Sequence, residues 1–220
     1  MIAAGDRAFA VGMTGSGKSG LLGYYFATYP GQRLLVDVND DYELGPTALE
    51  EGACLAREPA AIDWSVRTIR YAPSRLDQDE YEALYAEIWK RARAGHKLFV
   101  WLDEGEGPTT ANRSPLHLRL ALKQGRKKDL THATATLRPV DVEKAIINQS
   151  EHGFVFKMSD LDDIALLARR LNVTVRELVA VLEGLPDYGF LYHRFGGAVA
   201  TFGPLDEKRR AITARHVLMP

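Results

Sequence analysis

The sequence lacks most of the features that set special protein classes apart. It holds one cysteine, Cys54, in 220 residues, so no internal disulfide can form and a reducing, cytoplasmic setting is expected. Its longest apolar runs are short, such as Leu98–Leu102, whereas a membrane-spanning helix needs about 20 residues, so no transmembrane segment is expected. It has little excess charge of either sign: 28 Lys and Arg against 29 Asp and Glu leave a net −1, which argues neither for nor against a nucleic-acid partner. Repeats, low-complexity stretches and long linkers are missing, which excludes fibres and disorder as the main state. A glycine-rich motif begins at Gly12, leaving no room for a signal peptide before it. What remains is ordinary globular material, 46% hydrophobic and 26% charged. The expected organisation is one domain over 1–203 and a basic tail over 204–220 that carries Lys208, Arg209, Arg210 and Arg215.

Charge is unevenly spread. Asp37, Asp40, Asp41, Glu43, Glu50 and Glu51 form a stretch without Lys or Arg. From Arg113 to Arg138 the balance reverses, with Arg119, Lys123, Arg126, Lys127 and Lys128 between them and Asp129 as the single acid. A solvated helix face and a surface for phosphate both fit this segment.

Strands and helices alternate, which points to an α/β domain with a mostly parallel central sheet flanked by helices. Strands are expected at Arg7–Val11, Arg33–Val38, Arg67–Tyr71, Lys97–Asp103, Thr131–Leu137 and Gly153–Lys157. Helices are expected from Gly17 to Thr28, from Leu76 to Ala94 with Gly95 as the stop, from Ser114 to Lys128 with Leu116, Leu120 and Leu118 inward, and from Val140 to Asn148. Between Asp40 and Ser65 only short helical stretches stand out, at Thr47–Glu51 and Pro59–Ile62. The C-terminal part reads as a helical pair, Asp160–Leu171 and a helix opened by the Thr174/Glu177 capping box, followed by a β-hairpin with a Gly196-Gly197 turn.

Gly12-Met13-Thr14-Gly15-Ser16-Gly17-Lys18-Ser19 matches G-x-x-x-x-G-K-[ST] in full. The glycines let the backbone curl and aim its N–H groups at phosphate oxygens without a Cβ in the way. Lys18 would reach the β- and γ-phosphates of ATP, Ser19 would hold Mg²⁺, and the following helix would set its positive end beneath them. The run Leu98–Asp103 then delivers a carboxylate: Asp103 is the expected second Mg²⁺ ligand and Glu104 the general base for water, with Glu106 as the rival base. An acid directly after the metal-binding Asp favours hydrolysis over small-molecule phosphotransfer. A further strand, Thr131–Leu137, follows the acid strand, the layout of additional-strand (RecA-like, ASCE) P-loop NTPases.

Beyond these motifs, Gly125-Arg126 upstream of His132-Ala-Thr-Ala-Thr136-Leu137-Arg138-Pro139, then Asn148-Gln149-Ser150 and Phe154-Val-Phe156, resembles the HerA/FtsK superfamily of DNA-pumping ATPases. By size the chain is most similar to the small genome-packaging ATPases of tailless, membrane-containing viruses. The resemblance implies a ring homo-oligomer, usually a hexamer, with ATP at subunit interfaces, double-stranded DNA in the channel, and a capsid or membrane-vertex protein as a candidate docking partner. It also implies an arginine reaching the neighbour's γ-phosphate, with Arg126 first, then Arg119 and Arg138. The family's strand-end glutamine is replaced by Leu137, which cannot hydrogen-bond a phosphate. Thr136 or Thr134, on one face of the strand, is the expected substitute. The alternatives are a phage-assembly or secretion ATPase of the zonula-occludens-toxin type, a phosphotransferase acting on a small molecule, and a nucleotide-binding assembly module with little turnover.

Overall fold

The structure, a computed structural model, describes residues 2–194, 197 and 199–203. The tail over 204–220 and the Gly196 half of the hairpin turn lie outside the described residues. In chain order the elements are β1 (Arg7–Val11), α1 (Lys18–Thr28), β2 (Gln32–Asp37), α2 (Pro46–Glu50), β3 (Cys54–Ala56), β4 (Thr68–Tyr71), α3 (Gln78–Arg91) and β5 (Leu98–Asp103). There follow α4 (Leu116–Gln124), β6 (Leu130–Thr136), α5 (Lys144–Asn148), β7 (His152–Phe156), α6 (Leu161–Leu171), α7 (Val175–Glu183), β8 (Phe190–Arg194) and β9 (Val199–Phe202). Short 3-10 turns occupy Pro59–Ala61 and Gly125–Lys128.

The strands form one sheet in the order β3-β4-β2-β5-β6-β1-β7-β8-β9, parallel from β3 to β7 and antiparallel at β8 and β9. This is the expected α/β architecture, with β6 inserted between β1 and β5. Strands β1, β2, β4, β5, β6 and β7 are buried or nearly so along their length, as continuous apolar runs require when helices cover both sheet faces. One face packs Leu84, Ile88, Leu118, Ile146, Ile164 and Leu178 from α3 through α7. The other packs Leu21, Leu22 and Phe26 of α1 against Phe99 and Trp101. The helical pair is well capped: Asp160 accepts from the N–H groups of Asp162 and Asp163, and Thr174 with Glu177 forms the capping box.

Three readings of the sequence change. α3 ends at Arg91, not Ala94, because Ala92 turns extended, and Gly95 sits in a separate turn where its N–H donates to Asp129 at 2.7 Å. Leu76, the expected first residue of that helix, lies before it and is 65% exposed. The helix expected over Ser114–Lys128 is α4 followed by a 3-10 turn, and its buried stripe is Leu118, Ala121 and Leu122, while Leu116 is exposed and Leu120 half-buried. Spacing explains this: positions i, i+3 and i+4 share a helix face, whereas leucines at 116, 118 and 120 cannot. The edge strand β3 was not expected, since three residues with only Ala56 buried leave no pattern to read.

Candidate active site

All the parallel strands end at one edge of the sheet. Val11 lies level with Thr136 and Val155, and Asp37 with Asp103, so the loops after β1, β2, β5, β6 and β7 meet there. The loop after β1 needs its glycines. Gly12 has φ +152°, and a Cβ on it would lie 2.6 Å from the Phe156 Cβ and 2.9 Å from Ser16 Oγ. Gly17 (φ +110°) starts α1, which has neither a side-chain cap nor an acid in its first turn. The orphan N–H groups of that turn are left for an anion. Ser16 Oγ is buried with no hydrogen-bond partner among the described residues. Lys18 is buried, and its ammonium donates to the loop's own carbonyls, Gly12 O at 2.8 Å and Met13 O at 3.0 Å. Burial lowers its pKa, against the pull of Asp103, Glu106 and Glu104. A cradle with a free helix end, an unpaired hydroxyl and a lysine resting on carbonyls fits a polyphosphate.

Asp103 closes β5 beside this loop. Burial pushes its carboxyl up to about 7; the hydrogen bond donated by Tyr42 Oη at 2.7 Å pulls it back, and Glu104 and Asp37 push it further up. Tyr42 also lies within hydrogen-bonding reach of Ser19, and burial raises its own pKa. Ser19 and Asp103 thus both neighbour the Tyr42 hydroxyl and are the candidate oxygen ligands for Mg²⁺. Among the described residues no group of three or more His, Cys, Asp or Glu is placed to hold a metal. Mg²⁺ takes one or two protein oxygens and completes its shell with phosphate and water.

The two candidate bases separate clearly. Glu104 sits just after the strand at φ +61°, a left-handed conformation that costs a bulky residue about 1 kcal/mol, and its side chain has no partner among the described residues. Glu106 is committed elsewhere: its Oε1 accepts from Thr136 Oγ1, from Leu137 N–H at 2.7 Å and from Arg138 N–H at 2.7 Å, while its Oε2 is buried with no partner among the described residues. Glu106 thus ties the acid loop to the exit of β6. Arg138 continues the link, donating to Asp163 at 2.7 Å and pairing with Asp160 at 3.3 Å. Thr134 points to the same face as Thr136 but is buried beside His132, whose ring meets Tyr85.

Arg126 lies at the opposite edge of the sheet. It precedes β6 and packs by Gly5, which precedes β1, so the length of β1, roughly 17 Å, separates it from the loop at Gly12. Its side chain is 68% exposed, with Glu151 4.0 Å away. It cannot serve its own chain's loop. Arg119, Lys123 and Lys127 are also exposed, but Lys128 is spent: its ammonium donates to Trp89 O and Ala92 O at the end of α3 and lies 4.3 Å above the Trp89 ring.

Sequence reading missed Tyr42, the Glu106 clasp and the support given to the loop by Lys157, whose carbonyl accepts from Met13 N–H at 3.0 Å. One signal for Tyr42 was present: two apolar runs, Arg33–Val38 and Leu98–Leu102, both carry an Asp at their polar end, and paired neighbours would set Asp37 and Asp103 side by side.

No family model matches the chain, and no curated protein matches it. Solved structures do. The genome-packaging NTPase B204 from Sulfolobus turreted icosahedral virus 2, in complex with AMPPCP, superposes with a TM-score of 0.76 and 18% identity, over 92% of this chain and 98% of that one. B204 of Sulfolobus turreted icosahedral virus, described as a DNA-packaging ATPase, gives 0.71 and 15% over 94% and 100%. The cytoplasmic domain of the Thermomonospora curvata type VII secretion ATPase EccC gives 0.55 and 18%, over 99% of this chain but 29% of that one. The shared property is the fold, the α/β architecture with a mostly parallel sheet that the sequence led us to expect.

Proposed function

We propose that the chain is an ATP-hydrolysing motor that translocates double-stranded DNA, of the kind that packages a viral genome. The observation that carries the reading is the near end-to-end coincidence with a packaging NTPase, over 92% of this chain and 98% of the other. The site supports it. On binding ATP, Lys18 leaves the carbonyls of Gly12 and Met13 for the β- and γ-phosphates, and Ser16 Oγ gains a partner. The backbone over Gly12, Thr14, Gly15 and Gly17 supplies the remaining cradle, and the free N–H groups of α1 face the phosphates. Ser19 and Asp103 would hold Mg²⁺, which when bound would neutralise charge on the phosphate oxygens. Glu104 takes a proton from the water that attacks the γ-phosphorus; the bond to the β-phosphate oxygen breaks and leaves ADP and phosphate.

Leu137 leaves the β6 exit without the family's amide, and Thr136 acts in its place through Glu106. Loss of the γ-phosphate changes the charge beside Glu106 and so the hold on Leu137, Arg138 and, beyond them, α6. Arg126 reaches the neighbouring subunit's nucleotide in a ring, usually a hexamer. Arg119, Lys123 and Lys127 meet DNA phosphates, a contact independent of sequence and weakened by salt. The setting is cytoplasmic or virion-associated, with a capsid or membrane-vertex protein as docking partner; among the described residues no helix is long and apolar enough to cross a membrane.

A triplex-displacement assay tests the motor reading. The chain with ATP and Mg²⁺ is expected to strip a third strand from a long duplex, and AMPPCP is not expected to support it. ATP turnover without displacement would leave an ATPase and overturn translocation. Mixing Arg126→Ala with Lys18→Ala subunits tests the arginine: each is inactive alone, and mixed rings regain some turnover only if Arg126 acts across the interface.

A further inference from the structure

Phosphates alone do not explain the whole of the nucleotide edge. β7 lies on the side of β1 away from β6 and β5. A triphosphate that points its γ end at Asp103 and Glu104 therefore points its nucleoside end toward the loops beyond β7. A cleft of about 220 Å³ opens there, lined by Met13, Thr14, Gly15 and Ser16 on one side and by Lys157, Asp187, Tyr188 and Gly189 on the other.

Tyr188 is presented to this cleft by a tight turn. Gly189 N–H donates to Pro186 O at 2.9 Å, and a Cβ on Gly189 would lie 2.8 Å from the Pro186 ring. Within that turn Tyr188 adopts φ +60°, a left-handed conformation in which a large aromatic is a genuine outlier. Its ring packs along the phosphate loop, with Tyr188 Cδ1 3.3 Å from where a Gly17 Cβ would be, yet 41% of the residue remains exposed. The Lys157–Asp187 ion pair at 3.2 Å marks the outer rim. A strained backbone that holds an exposed ring against a phosphate cradle, on the side where the nucleoside must lie, is the arrangement of a ligand clamp.

We infer that Tyr188 is the stacking platform for the base of a nucleoside triphosphate whose phosphates occupy residues 12–19. The inference rests on the reading of those residues as a triphosphate cradle. Base–aromatic stacking tolerates any base with a π-face, so the platform adds affinity for nucleotides over bare polyphosphate.

The test is calorimetric titration of the nucleotide-free chain with ATP and, separately, with inorganic tripolyphosphate. Tyr188→Asn removes the ring while asparagine tolerates the left-handed backbone, so the fold is kept, and its melting temperature should equal or exceed that of the unaltered chain. It is expected to weaken ATP about tenfold and leave tripolyphosphate unchanged, while Tyr188→Phe keeps both affinities. Equal loss of both ligands in Tyr188→Asn would make the ring a prop for the phosphate loop and overturn the platform, as would unchanged ATP affinity. If the unaltered chain binds tripolyphosphate as tightly as ATP, the cradle stands and the platform fails. If it binds neither, both readings fall together.

Discussion

At the edge of the sheet where β1 and β7 begin, polar side chains are buried and satisfied. Arg7 donates to both carboxylate oxygens of Glu151 and to Leu122 O at 2.9 Å; His152 bridges Asp6 at 3.0 Å and Tyr192 at 2.8 Å; Thr131 accepts from Gly5 N–H at 2.9 Å. Burial alone would raise Glu151, and the hydrogen bonds from Arg7 outweigh it and hold the carboxyl below its usual range. At the opposite edge, where the same strands end, Ser16 Oγ and Glu106 Oε2 are buried without partners among the described residues, Glu104 is held left-handed, and Asp103 is pushed up to about 7. Among the described residues the same strands thus pair Arg7 with Glu151 and His152 with Asp6 at one end and leave Ser16 Oγ and Glu106 Oε2 unpaired at the other. Unpaired buried groups cost about 1–3 kcal/mol each, so an edge that keeps several is one waiting for a ligand to supply what is missing.

The sharpest way to break the contrast is Glu104→Gln. If the open edge does chemistry, turnover falls about 10²- to 10⁴-fold while ATP still binds, as single-turnover phosphate release and calorimetry would record. The satisfied edge should respond in stability instead. Arg7→Ala leaves the half-buried Glu151 with only the more distant Arg126 beside it and costs about 1–3 kcal/mol in denaturant unfolding, with turnover per folded molecule unchanged. Asp103 gives the pH-dependent form of the comparison. Its folded pKa, about 7, stands above the unfolded value of about 3.8, so the native state holds a proton that the unfolded chain releases. Stability of the nucleotide-free chain therefore drops as pH rises from about 4 to 7 on account of this group. Asp103→Asn removes that drop: in melting curves without Mg²⁺ it exceeds the parent chain at pH 8 and matches it below pH 4.

Glu106→Ala probes the link between the acid loop and β6. It leaves the N–H groups of Leu137 and Arg138 without their acceptor and is expected to cost about 1–3 kcal/mol, and it lowers kcat while ATP affinity holds. The smallest effect belongs to the exposed cations. Replacing Lys123 or Lys127 by Gln lowers the slope of log K against log salt for duplex binding by about one each, whereas Lys128→Gln leaves that slope alone and loosens the end of α3.

Much of the fold and part of the site were legible in the sequence because they depend on local necessity. Gly12, Gly15 and Gly17 sit at fixed spacing since the cradle needs left-handed backbone there, and Leu98–Leu102 reads as a strand since a strand covered on both faces must be apolar throughout. What escaped depends on long-range partners. Lys128 looks like one more cation in a basic segment, and only the end of α3 folded against it shows that it is occupied. Glu106 looks like a second base until Thr136, 30 residues on, claims it. Tyr42 meets Asp103 through a loop of irregular structure whose path no periodicity encodes. In α4, alternate leucines suggested the wrong face because the small Ala121 completes the stripe without announcing it.

If the open edge converts ATP hydrolysis into movement along DNA, phosphate release from ATP with Mg²⁺ rises when long double-stranded DNA is added at low salt, and the rise disappears as salt increases. Turnover indifferent to DNA at every salt concentration would mean that hydrolysis at this edge drives no such movement.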